Sequence, residues 1–182
     1  MDARQVATKR QFPFSTLTWV IFAAAVWVIA DFSASALLAA DTSVIADLPS
    51  GAVLSQVTAE SVRNTKPTLP VVFKKVPSEV EGLPCVAPKY KPQEKPGEGY
   101  SFKVTKNCTV YFIVTERGNP TLPSDWQKTS LTGISKMDKW TTKDLYYKRD
   151  YQAGDTVTVP AHEGKKQNGK YAYAIAAAVK AK

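Results

Sequence analysis

The sequence predicts a mainly β protein: an antiparallel β-sandwich preceded by a single N-terminal transmembrane helix and a connector. Three observations carry this expectation. From Val71 onward the apolar residues recur with a period near two, in short runs separated by Gly, Pro and Asn. Residues 12–31 form one apolar run behind a basic flank. Beyond residue 70 no stretch suggests a helix longer than two turns.

The opening segment, MDARQVATKRQFPF, carries Arg4, Lys9 and Arg10, and no further Lys or Arg occurs before Arg63. By the positive-inside rule residues 1–11 stay cytoplasmic and the remainder crosses. The run that follows has two readings. As a signal peptide, Leu17 to Ala30 is a central apolar region and Ala34-Ser35-Ala36 a small-residue cleavage site. As an anchor, Phe12 to Asp31 counts 20 residues, which at about 1.5 Å each span the roughly 30 Å hydrocarbon core. Pro13 would then sit in the first helical turn, where its missing N–H costs little, and Asp31 at the outer headgroup boundary. The anchor is the expectation carried forward, with residues 12–40 as helix and interfacial continuation; cleavage after Ala36 is its alternative. Phe12, Phe14, Trp19, Phe22 and Trp27 are the expected membrane or partner contacts. Trp27 suits an interfacial belt. Trp19 would lie about 10 Å inside the inner boundary at 1.5 Å per residue, which asks either for a shifted helix or for contact with another subunit, a lipid or a pigment. The expected setting is therefore the bacterial inner membrane, single-pass, with the C-terminal domain periplasmic.

Residues 41–70 read as a connector. Apolar residues at 53, 54, 57 and 62 approach helical spacing, and Asn64 followed by Pro67 would end such a helix. The sandwich is expected over 71–182. VVFKKV opens it. YSFKVT and CTVYFIVTER, separated by Lys106-Asn107, read as a hairpin. DLYYKRDY, DTVTVPA and KYAYAIAAAVK are further strands, the last with Tyr171, Tyr173, Ile175, Ala177 and Val179 on one face. RGNPTLPSDW and PAHEGKKQNGK are loops.

Charge is uneven. The first fifty residues hold three basic against four acidic side chains, leaving 21 basic against 12 acidic in the remainder. A basic extracytoplasmic domain favours lipid headgroups, an acidic protein face or an acidic glycan. Nucleic acid is not an expected partner: the lysines are scattered, no recognition motif appears, and the domain faces away from the cytoplasm. Cys85 and Cys108 are the only cysteines. In an oxidising compartment they are expected to form one disulfide, closing a loop of about 24 residues worth roughly 3 kcal/mol; two buried thiols are the alternative.

The order SEVEGLP, YSFKVTKNCTVYFIV, PSDW, TSLTGI and LYYKRDYQAGDTVTVP resembles a β-sandwich module of bacterial secreted proteins that often accompanies carbohydrate-active enzymes. The likeness covers about residues 72–179. Two positions depart from the pattern: Glu116 stands where an acidic residue commonly follows the VYV strand, and no Leu follows Trp126. The resemblance implies a sandwich, an extracytoplasmic setting and no catalytic residues. Separately, the apolar run with its basic arm and deep Trp resembles the single-span polypeptides of bacterial photosynthetic antenna complexes. It lacks the histidine that binds bacteriochlorophyll there, so it implies no pigment carrier and no cofactor.

Nothing in the chain assembles chemistry. His162 is the lone histidine, in a Gly- and Lys-rich loop. There is no zinc spacing, no CxxCH, no G-x-S-x-G and no phosphate-cradling loop. Glu79 and Glu81 read as solvated turn residues rather than a glycosidase pair. No catalytic and no metal site is expected. The useful residues are aromatic: Trp126, Trp140 and Tyr146 are candidate surface-binding aromatics, although Trp126 in a Pro…Trp loop would equally pack against the sandwich edge. The expected function is a non-catalytic, membrane-anchored accessory subunit that stabilises a larger membrane complex, with a photosynthetic reaction-centre–antenna assembly as its concrete form. A cell-envelope carbohydrate-binding module is the alternative.

Overall fold

The computed structural model describes residues 44–66, 69–90, 96–167, 169 and 171–182. These belong to one compact unit, Ala40–Lys182. The expected span and its contacts Phe12, Phe14, Trp19, Phe22 and Trp27 lie outside the described residues. Among the described residues no helix is long and apolar enough to cross a membrane.

Eleven strands follow in chain order: β1 Ile45–Ala46, β2 Val53–Gln56, β3 Val62–Asn64, β4 Val71–Lys75, β5 Pro84–Ala87, β6 Tyr100–Val104, β7 Cys108–Thr115, β8 Gln127–Met137, β9 Trp140–Tyr151, β10 Thr156–Val159 and β11 Ala176–Ala181. All pair antiparallel. One sheet has the order β1-β6-β10 and the other β2-β5-β11-β7-β9-β8-β4-β3. The mainly β sandwich is therefore present, in an asymmetric form.

The large sheet curls on itself. Past the end of edge strand β3, the Thr65 N–H donates to Pro88 O (3.0 Å), and the Tyr90 N–H donates back to Thr65 O (2.7 Å), a parallel bridge to the continuation of β5, next to the opposite edge. Such near-closure removes most of the exposed edge that an open sheet leaves. It also gives the large sheet two buried faces. On one, Phe102, Val104, Val157 and Val159 of the small sheet pack against Val110, Phe112, Ile175 and Val179. On the other, inside the curl, Val57, Phe73, Cys85, Tyr111, Ile113 and Tyr146 meet. β11 lies between both cores, which is why AIAAAV is small and apolar throughout: Ile175, Ala177 and Val179 face the sandwich, Ala176 and Ala178 the curl.

Four expectations are corrected. The connector is not helical: residues 45–64 supply β1, β2 and β3, and the apolar residues near helical spacing pair with β5 and β4 instead. The YSFKVT–CTVYFIV hairpin does not form, because β6 joins β10 and β1 while β7 joins β9 and β11. The stretch 127–137, which carried no strand expectation, is the eleven-residue β8. The disulfide is absent, and Cys85 and Cys108 are buried free thiols. Cys85 lies opposite Ala178 and Cys108 opposite Ala181, on strands flanking β11. Two strand spacings of about 4.8 Å exceed the Cα separation of about 7 Å that a disulfide tolerates. The two side chains also face different cores.

Candidate functional site

The interior of the curl is apolar at its base and polar towards one end. There Arg63, at the centre, is fully buried. Its Nη2 donates to Ile113 O (2.8 Å) and Thr115 Oγ1 (3.2 Å), and Nη1 to Ala174 O (3.3 Å) and Asn64 Oδ1. Nε lies 3.3 Å from Asp144 Oδ1, a charge contact without hydrogen-bond alignment. Ser135 donates its hydroxyl to Asp144 Oδ2. Burial pushes the Asp144 carboxyl above its usual range, opposed by the Arg63 charge and the Ser135 hydroxyl.

Above this layer the curl opens into a cleft of about 630 Å³, within the size range of ligand pockets. One wall is the tip of the β8–β9 hairpin, where Met137 and Trp140 are cross-strand partners around the two-residue turn Asp138-Lys139. Asp138 adopts φ 55°, which its short polar side chain tolerates. The other wall carries Ala172 and Tyr173. Thr115 lines the cleft while accepting from Arg63, and the Arg63 guanidinium carbon lies 6.0 Å from the Tyr173 ring centre, so the buried network forms the floor. Burial raises the Tyr173 phenol pKa, against the Arg63 and Arg117 cations. Glu116 and Lys143 neutralise each other at 3.1 Å. Arg117 lines the cleft and makes no ion pair with another described residue. A second hollow of about 340 Å³ shares Thr141, Thr142 and Lys143 with the first.

The structure separates the three candidate aromatics. Trp140 is 61% exposed at the cleft, with Lys139 Nζ 5.7 Å from its ring centre. Trp126 is buried and stacked on Phe112, centroids 3.5 Å apart and planes 6° from parallel. Tyr146 is fully buried inside the curl. The latter two are corrected from surface aromatics to core residues: the inward alternation of β9 takes Tyr146, and the Pro…Trp loop folds Trp126 onto the sandwich. Sequence reasoning missed Arg63, Asp144, Arg117 and Tyr173. An Arg alone among β-forming residues, VRN, was the one signal available for the first of these.

His162 is buried as a structural group. Gly164 N–H donates to Nδ1 (3.4 Å), so Nε2 carries the proton and donates to Thr115 O (3.0 Å). Burial lowers its pKa. Glu79 accepts from the Tyr111 hydroxyl at 2.6 Å. Among the described residues no three His, Cys, Asp or Glu side chains cluster as a metal site would require.

No family model matches this chain, and no curated protein matches it. Its fold is similar to one found in a solved carbohydrate-active enzyme. A β-glucuronidase from glycoside hydrolase family 2 superposes with a TM-score of 0.56 at 12% identity, over 75% of this chain and 14% of that one. At that identity the likeness shows the fold alone, and the chain spans about one seventh of that enzyme's length. The sandwich expected from the sequence pattern is thus supported at the level of architecture.

Proposed function

We propose that this chain is a non-catalytic accessory subunit, held on the periplasmic side of the bacterial inner membrane by residues 12–40 and stabilising a larger membrane protein complex. The supporting observation is where the reactive side chains lie. His162 is locked between Thr115 and Gly164, Asp144 faces Arg63 and Ser135, and both thiols are buried, so these groups serve the fold rather than the cleft. What the domain presents outward is an exposed Trp beside cations, the residue types that dominate binding surfaces. The candidate partner is a photosynthetic reaction-centre–antenna assembly, on the resemblance of the N-terminal stretch to antenna polypeptides.

Native membranes solubilised in mild detergent test this reading. The chain is expected to migrate with a larger assembly and to destabilise it when deleted. Recovery only as a lone monomer, with the mature chain beginning at Leu37, would overturn it.

A further inference from the structure

The mouth of the curled sheet has the makings of a ligand site that the accessory role leaves unused. It is concave, about 630 Å³, with the tip of the β8–β9 hairpin on one wall and Ala172 and Tyr173, ahead of β11, on the other. Trp140, 61% exposed, offers aromatic surface from the hairpin wall, whereas Tyr173 on the other wall is 7% exposed and closes the cleft as a packed side chain. Asn119, Thr142 and Gln167 add neutral groups that both donate and accept. Charge decides the rest. Glu116 pairs with Lys143, so among the described lining residues Arg117 is the charge without an ion-pair partner, and Lys139 stands beside the Trp140 ring.

We propose that this mouth binds a carboxylate-bearing saccharide, taking one acidic sugar unit against the exposed face of Trp140 with its carboxylate on Arg117. Each part of such a ligand has its counterpart. The apolar face of a sugar ring suits the indole. Hydroxyls suit Asn119, Thr142 and Gln167. A planar carboxylate suits the two-pronged guanidinium better than a lysine ammonium. An extended peptide is the competing occupant, because β9 pairs with β7 only from Asp144 onward and its cleft-lining residues 140–142 pair with β8 alone among the described strands; the triglutamate probe decides between the two. This inference goes beyond the accessory role and does not depend on it; a membrane-held subunit can carry such a site.

Calorimetric titration of the full-length chain in a sugar-free nonionic detergent tests the site, using trigalacturonate, maltotriose and triglutamate as probes. Saturable one-to-one binding of trigalacturonate is expected, with maltotriose and triglutamate each weaker by about tenfold or more. Trp140→Ala and Arg117→Ala are each expected to weaken trigalacturonate by roughly tenfold, and Arg117→Lys, which keeps the charge but loses the fork, by several-fold. Trp140 is exposed, so its loss leaves the fold intact and the result readable. Absence of saturable binding, or binding that both alanine variants retain, would overturn the site. Equal affinity for triglutamate would overturn the saccharide assignment in favour of acidic peptides. None of these outcomes bears on co-migration with a membrane complex.

Discussion

Arg63 and Asp144 face each other across the interior of the curled sheet, Nε 3.3 Å from Oδ1, with both side chains fully buried. They come from distant strands, β3 near one end of the sheet and β9 near its middle, so the pair forms only once the sheet has closed. A buried pair of this kind is held by its hydrogen bonds as much as by its charge. Five groups surround the guanidinium: Ile113 O, Ala174 O, Thr115, Asn64 and Asp144. Removing one member strands the other. Arg63→Met and Asp144→Leu are each expected to cost about 3–5 kcal/mol in denaturant unfolding. The double variant should cost less than the sum by about 1–3 kcal/mol, because neither charge is then orphaned. Strict additivity in that cycle would show that the contact contributes nothing as a pair.

Trp126 and Trp140 should behave oppositely. Trp126 stacks on Phe112 in the sandwich core, and Trp126→Ala is expected to cost about 3–5 kcal/mol of stability. Trp140 stands at the hairpin tip, and Trp140→Ala should stay within about 0.5 kcal/mol. Chemical denaturation of both variants checks the contrast; comparable losses would mean that Trp140 packs more than its exposure indicates.

These assignments show where sequence pattern informs and where it misleads. Alternation in β10 and in the segment running into β11 is visible because inward positions there are apolar: Val157 and Val159, or Ile175 and Val179. β8 hides because its pattern is inverted. Gly133 and Ser135 are its buried residues while Ile134 is exposed. Gly133 is required there because a side chain would meet Lys75 O at 2.7 Å and the Tyr146 hydroxyl at 2.9 Å, and Ser135 faces Asp144. An interior that is polar in one layer removes the hydrophobic period on which strand reading rests. The cleft was less legible still. Trp140 stood out by type, but Arg117 and Tyr173 become its neighbours only through the pairing of β7 with β9 and of β11 with β7, which no local spacing encodes. The failed β6–β7 hairpin has a similar cause: a short Lys-Asn link suits a turn, and it suits a crossing between sheets equally well.

The cysteines yield a redox prediction. Because Cys85 and Cys108 face different cores, reductant should leave the thermal midpoint unchanged. Burial pushes the Cys85 thiol up to about 12 and, with Asp150 adding to it, Cys108 to about 11. Both should therefore resist thiol reagents in the native state and react on unfolding. Intact mass after alkylation in denaturant, without reductant, should show two added groups. A mass lower by two hydrogen atoms with none added would establish the disulfide instead.

The pH dependence of stability should carry the signature of His162. In the native state its Nδ1 accepts from Gly164 N–H and its Nε2–H donates to Thr115 O. Protonating Nδ1 would set two donors against each other at a position already closed by Gly164, where an added Cβ would lie 2.8 Å from the ring. Burial likewise disfavours the cation, and the pKa is lowered from 6.5. The sign follows from linkage. Below 6.5 the unfolded chain binds a proton that the folded chain refuses, so stability present above that pH is lost as pH falls towards the depressed native value. His162→Gln removes the titrating group while keeping a polar side chain. Its unfolding free energy should be lower than wild type at pH 7.5, and the gap should narrow between about pH 6.5 and 5. Denaturant midpoints of both proteins across that range check it. A gap that widens on acidification would mean the folded protein stabilises the imidazolium, contrary to the geometry of the Thr115–Gly164 cradle.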